Sequence, residues 1–221
     1  GTDFQRLNYL FGLYESGKVN NQGYNFRDTL EIENLQILSP YRAGYFGTLG
    51  LNKQIHEKYR EKNSSQKVDK YFRHADKLIR LINWYVGPKG NKSLKLSNGS
   101  TGVVTVSQKC FYEKETRKRI DYDERKYYFK DYLYPIDKID DEENFDLAYA
   151  ITVHKSQGSD FRNVLLVISQ KQSLLSKELV YTALTRSKYR LFIFVQDTDE
   201  NLLMIAKKNS HLVNRNTSLY S

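Results

Sequence analysis

Between Ala148 and Phe161 the chain reads AYAITVHKSQGSDF. An apolar run ends in a polar stretch carrying the hydroxyl of Thr152, the imidazole of His154, the ammonium of Lys155 and the amide of Gln157. In open α/β sheets ligands bind beyond the carboxyl ends of the strands, and these groups are donors that a phosphate accepts from. Gly158 permits close backbone approach, and Asp160 can accept from a ribose hydroxyl. On residue types alone, however, an ordinary strand-to-helix loop with a capping aspartate is the better account of the stretch. A second polar block, Leu179–Leu191 (LVYTALTRSKYRL), follows after an apolar run and carries Arg186.

Two further stretches invite phosphate chemistry and do not sustain it. Gly12–Val19 (GLYESGKV) fits G-x-x-x-x-G-K, but the next position needs a hydroxyl for Mg²⁺ and holds Val19. The segment before it reads as helix rather than strand, against the strand–loop–helix context that a phosphate-binding loop requires. Phe192–Asp197 (FIFVQD) resembles an apolar strand ending in a metal-binding aspartate, yet an ordinary closing strand accounts for it. His154 has no partner at ligand spacing among the four histidines, so no metal site is expected.

The elements that must position these groups follow from periodicity. Phe4, Leu7, Leu10, Phe11 and Tyr14 predict a short amphipathic helix over 3–15, followed by a polar loop over 16–30. LQILS at 35–39, closed by Pro40, predicts a buried strand, and Leu51, Ile55 and Tyr59 predict about three turns of helix. From 67 to 143 short β-type runs alternate with turn signals, including Asn98-Gly99, which predicts a small antiparallel barrel of about five strands. Beyond Phe145 the pattern returns to α/β: strands at 148–153, 164–168 and 191–195, and a helix over 177–188 capped by Ser176. Alternating strands and helices imply a parallel sheet. The expected division is therefore 1–66 and 144–221 as two parts of one α/β domain, with 67–143 inserted as a barrel.

Composition sets the partners. A net charge of +9 with a pI near 9.3 suggests a polyanion, most simply nucleic acid. No apolar run is long enough to span a membrane. Gly1-Thr2-Asp3-Phe4 is not a secretory start, and an opening Gly reads as the edge of an excised piece. Cys110 is the single cysteine and can form no internal disulfide, so a reducing, cytoplasmic setting is the expectation.

Taken whole, T-x-H-K-x-Q-G-[ST]-[DE]-F after an A-Y-A strand resembles motif V of the RecD-like helicases of superfamily 1. Leu179–Leu191 resembles motif VI of the same group. Leu38-Ser-Pro-Tyr-Arg-Ala-Gly44 with Leu51-Asn52 is similar to motif IV and its following helix. Arg73–Ile79, Asn83 and Asn98-Gly-Ser-Thr-Gly102 are similar to the start of that group's SH3-like insert. The family usually has Gly before Asp76 and an acidic residue after Asn98-Gly99, whereas this chain has Ala75 and Ser100. The resemblance covers roughly Leu35 to Val195.

The resemblance implies a RecA-like (P-loop NTPase-like) domain interrupted by an SH3-like barrel, the C-terminal half of an ATP-dependent DNA helicase. It implies that Arg186 is an arginine finger, Arg42 a second γ-phosphate sensor and Gln157 the coupler of nucleotide and strand sites. Gly158 and Asp160 would line the nucleotide. Thr152, His154, Lys155, Asn52 and Asn98 would face single-stranded DNA. ATP with Mg²⁺ is the implied cofactor pair, held mostly by an N-terminal RecA-like lobe, without which this half would hydrolyse nothing. A stand-alone single-strand-binding module, or an RNA rather than DNA helicase, is the alternative.

Overall fold

The computed structural model describes residues 3–12, 32–61, 72–73, 75–113, 115, 117–129, 132–136, 142–169 and 176–196. The loop expected over 16–30, the glycine-rich stretch beyond Gly12, and Asp197 lie outside them. The chain divides into two compact units, residues 1–32 with 52–149 and residues 33–51 with 150–221.

The second unit is a four-stranded parallel sheet in the order β11-β10-β1-β9. Its strands are β1 (Leu35–Ser39), β9 (Ala150–Thr152), β10 (Phe161–Ile168) and β11 (Ser187–Val195). β1 is central and β10 lies beside it, so both read as apolar runs; Leu38, Val164, Leu166 and Ile168 are fully buried. Helix α3 (Lys177–Leu184) links β10 to β11, with Ser176 Oγ accepting from Leu179 N at 3.2 Å as the expected N-cap. The helix stops at Leu184, four residues short of the expected end, and β11 starts at Ser187 rather than Leu191. Pairing with β10 draws the polar Ser-Lys-Tyr-Arg segment into an edge strand, where polar side chains face water at no cost.

The first unit holds helix α1 (Asp3–Phe11) and a five-stranded antiparallel sheet, β7-β6-β5-β2-β8. Its strands are β2 (Asp76–Arg80), β5 (Thr101–Tyr112), β6 (Arg119–Phe129), β7 (Tyr132–Ile136) and β8 (Phe145–Leu147). A separate hairpin pairs β3 (Trp84–Val86) with β4 (Ser93–Leu96). Phe72, Leu78, Leu96, Val104, Tyr127, Phe129 and Phe145 form its core, with Trp84 and Leu147 packed against it. Helix α2 (Thr48–Ile55) continues as a π-helical turn over His56–Glu61.

The boundaries differ from 66/67 and 143/144 for a physical reason. The strand expected over 148–153 is β9, which pairs with β1 in the parallel sheet, while Phe145–Leu147 just before it forms β8, which pairs with β2 in the antiparallel one. The chain changes sheets at Ala148-Tyr149, so 144–149 stays with the antiparallel unit. No helix among the described residues is long and apolar enough to cross a membrane.

Candidate nucleic-acid and nucleotide site

The parallel sheet has two ends, and the residues singled out by sequence divide between them. At the carboxyl end Ser39 and Thr152 are register partners, and Val153 N donates to Ser39 O at 3.3 Å. At the amino end Phe161 and Ser187 are register partners, and Phe161 N donates to Arg186 O at 2.8 Å. β10 climbs from Phe161 at one end to Val167 at the other, about 20 Å at roughly 3.3 Å per residue.

Arg42 leaves from the carboxyl end. Ser39 Oγ donates to Phe46 O (2.9 Å) and accepts from Tyr41 N (3.2 Å), while Thr48 N and Leu49 N donate to Tyr41 O and Arg42 O, each at 3.0 Å. Gly47 and Gly50 are required by this fold: a Cβ would stand 2.2 Å from Ala43 O in the first case and 2.3 Å from Gly44 O in the second. Tyr41 is buried, which pushes its phenol above the ordinary value and keeps it uncharged. The Arg42 side chain is exposed, with no partner among the described residues.

The motif after β9 is a single 3-10 turn, His154–Ser156. Thr152 Oγ1 accepts from Lys155 N at 3.3 Å, and the buried Ser156 Oγ donates to Val153 O at 2.7 Å. That lock turns His154, Lys155 and Gln157 outward, all exposed. Gly158 sits at φ +83°, in the left-handed region that a side chain resists. The chain then runs to the amino end, so Gln157 and Gly158 lie between the two groups along the sequence.

Arg186 and Asp160 meet at the amino end. Arg186 Nε donates to Thr182 O, one guanidinium nitrogen to Ser159 O and the other to Thr185 Oγ1, each at 3.2 Å. Asp160 Oδ1 is 3.9 Å from that guanidinium, and Lys188 Nζ is 3.5 Å from Asp160 Oδ2. The Arg186 side chain is 21% exposed and Asp160 is 49% exposed. Two cations thus flank one carboxylate at an open edge, an arrangement able to take an anionic group and a hydroxyl together. Lys188 was not singled out by sequence; its position two residues after Arg186, on the strand that the polar composition concealed, is the signal that would have found it.

Arg42, Arg186, Asn52 and Asn98 are placed as follows. Arg42 and Arg186 leave the sheet from opposite ends, Arg42 after β1 closes at Ser39 and Arg186 before β11 opens at Ser187. Arg42 leaves from the same end of the sheet as Thr152, His154 and Lys155. Asn52, expected at the strand, is 6% exposed and donates from Nδ2 to Leu147 O at 2.9 Å. Asn98 lies exposed in the expected turn, its backbone N–H donating to Asn83 Oδ1 at 2.7 Å.

The sequence is similar to that of several known proteins. Residues 147–194 match the UvrD-like helicase C-terminal domain. An uncharacterized protein of Methanocaldococcus jannaschii is 33% identical over 218 residues, 91% of this chain and 18% of that protein. The RecBCD enzyme subunit RecD of Buchnera aphidicola (subsp. Schizaphis graminum) is 31% identical over 184 residues, covering 80% of this chain and 27% of the subunit. The ATP-dependent RecD2 DNA helicase of Deinococcus radiodurans is 28% identical over 161 residues, 72% of this chain and 19% of the helicase. The chain therefore spans less than a third of each of these curated relatives.

Proposed function

This chain belongs to the superfamily 1 helicases as a C-terminal domain of the UvrD-like family, and on that premise we propose that it is one motor half of an ATP-dependent DNA helicase, a single-strand translocase. The observation that carries the reading is the setting of Arg186. Its guanidinium rests on two carbonyls, a hydroxyl and one loosely placed carboxylate, at an edge open to solvent. A guanidinium held this way is pre-aimed yet able to exchange weak neutral acceptors for a γ-phosphate, where charge spreads in the transition state.

In this reading Asp160 accepts from the ribose, Gly158 gives the backbone room beside the nucleotide, and Gln157 couples the two groups of residues. Thr152, His154, Lys155 and Asn98 contact the strand, chiefly through phosphates. Arg42, exposed at the carboxyl end, is assigned to the strand as well. Residues 67–143 are read as the SH3-like insert. The residues present fit the γ-phosphate side of ATP. The Mg²⁺ ligands are assigned to an N-terminal RecA-like lobe, as the family resemblance implies. Bound there, Mg²⁺ would neutralise charge between the phosphates.

The test is to purify the chain alone and measure both activities. It is expected to bind single-stranded DNA in a salt-dependent manner and to turn over no ATP. Substantial ATP turnover by the isolated chain, abolished by Arg186→Ala, would sink the assignment of the catalytic half to another lobe.

A further inference from the structure

Hairpin β3–β4 in the antiparallel unit presents a surface that none of the motif residues accounts for. Its inward pair is Trp84 and Leu96, register partners on the core side. Its outward pair is Tyr85 and Leu94, register partners that are each 49% exposed, with Ile82 and Val86 exposed beside them. Four large apolar side chains facing water on one short hairpin are a candidate binding surface.

The hairpin is built to be stiff. At the tip Asn91 N donates to Pro88 O at 2.9 Å, and Ser93 Oγ donates to Val86 O at 3.2 Å. Gly87 has φ +136°, and a Cβ there would stand 2.4 Å from Asn91 O. At the base Asn83 acts as a clip: its Nδ2 donates to Tyr85 Oη at 3.3 Å while its Oδ1 accepts from Asn98 N at 2.7 Å. The Tyr85 ring is therefore tethered at its polar tip and open on its face.

Charge identifies the occupant. From Leu81 to Thr101 there is no acidic residue, although the chain holds 26 acidic residues in 221. The same stretch holds Lys89, Lys92 and Lys95, the first two exposed at the tip. An aromatic face bordered by lysines, with no carboxylate in its own stretch of chain, complements a polyanion whose flat bases are accessible. A duplex hides those faces, so the ligand is single-stranded.

We propose that Tyr85 is a base-stacking platform for single-stranded nucleic acid, with Lys89, Lys92 and Lys95 taking the backbone phosphates, a second strand-binding surface besides the motif residues of the parallel unit. It rests on the reading of the chain as a strand-binding motor half.

The experiment uses the whole 221-residue chain and an oligonucleotide carrying photoreactive iododeoxyuridine, with fluorescence anisotropy as the second readout. Irradiation is expected to cross-link the peptide containing Tyr85. Tyr85→Ala is expected to weaken binding by roughly fivefold to a hundredfold, the range for losing one stacked base, while Tyr85→Phe, which keeps the ring, binds like the parent. Lys89→Glu with Lys92→Glu is expected to weaken binding and flatten its salt dependence. If the parent binds and Lys155→Ala weakens it, while the Tyr85 and lysine variants bind unchanged and no cross-link maps to the hairpin, the hairpin proposal falls alone. If the parent binds no single strand at all, both readings fall.

Discussion

Arg42 and Arg186 leave the parallel sheet at opposite ends: Arg42 follows the end of β1 at Ser39, and Arg186 precedes the start of β11 at Ser187. Their roles should separate accordingly. In a polypeptide joining this chain to the ATP-gripping lobe, Arg186→Ala is expected to lower kcat for ATP hydrolysis by about 10³–10⁵ while leaving strand affinity in place. Arg42→Ala is expected to weaken strand binding and reduce the salt slope by about one. Steady-state ATPase assays and anisotropy titrations at several salt concentrations check the split. An Arg42→Ala enzyme with full strand affinity and an Arg186-like loss of kcat would return Arg42 to the nucleotide.

Asn52 gives the reverse prediction. Its amide donates to Leu147 O from a buried position, and Asn52→Ala strands that carbonyl. The expected cost is about 1–3 kcal/mol in urea unfolding, with strand affinity unchanged once folded. A variant of native stability that binds DNA tenfold more weakly would contradict it.

The parts of the fold legible in sequence were those where local pattern and tertiary environment agree. The LQILS run is apolar because β1 is central, and Ser176 reads as a cap because its hydroxyl has a backbone N–H to accept from. The parts that were not legible depend on partners distant in the chain. Nothing in Phe145–Thr152 says that Phe145–Leu147 joins one sheet and Ala150–Thr152 another, since no turn residue separates the two short strands and their partners lie far away in the chain. Nor does composition locate β11, whose polar start becomes a strand only through its pairing with β10. The motif residues were found by type, but their division between two ends of the sheet follows from strand direction, which spacing does not encode. Ala75 is an intermediate case: the position where the family usually has glycine holds φ +64° here, which explains the preference.

Two glycines should behave differently when given a methyl group. Gly47→Ala places a Cβ 2.2 Å from a backbone carbonyl and must displace the loop that carries Arg42, so a loss of about 1–3 kcal/mol is expected together with weaker strand binding. At Gly158 a Cβ meets nothing within 4 Å, and only the φ of +83° resists it. Gly158→Ala should cost about 1–2 kcal/mol, with no change in strand binding beyond that of the parent. Thermal unfolding and anisotropy on both variants decide. Equal losses of binding would mean that Gly158 is needed for more than its backbone angle.

Asp76 is the most buried carboxylate described, with no exposed surface, and three groups converge on it. Tyr149 Oη donates to Oδ1 at 2.7 Å, His56 Nδ1 lies 3.1 Å from Oδ2, and Arg73 N donates to Oδ2. The acid thus ties β2 to the π-helical turn and to the residue at which the chain leaves the antiparallel sheet. Removing it leaves a buried phenol and imidazole without their acceptor, so Asp76→Ala is expected to cost about 3–5 kcal/mol. Tyr149→Phe removes one hydrogen bond to the carboxyl group and is expected to cost about 0.5–1.5 kcal/mol. Because the two residues share one interaction, the double variant should unfold little more easily than Asp76→Ala alone. Urea titration of the four proteins measures the coupling directly. Strictly additive losses would mean that Tyr149 is held by its ring packing, against Phe11 at 5.2 Å between centroids, rather than by the carboxylate.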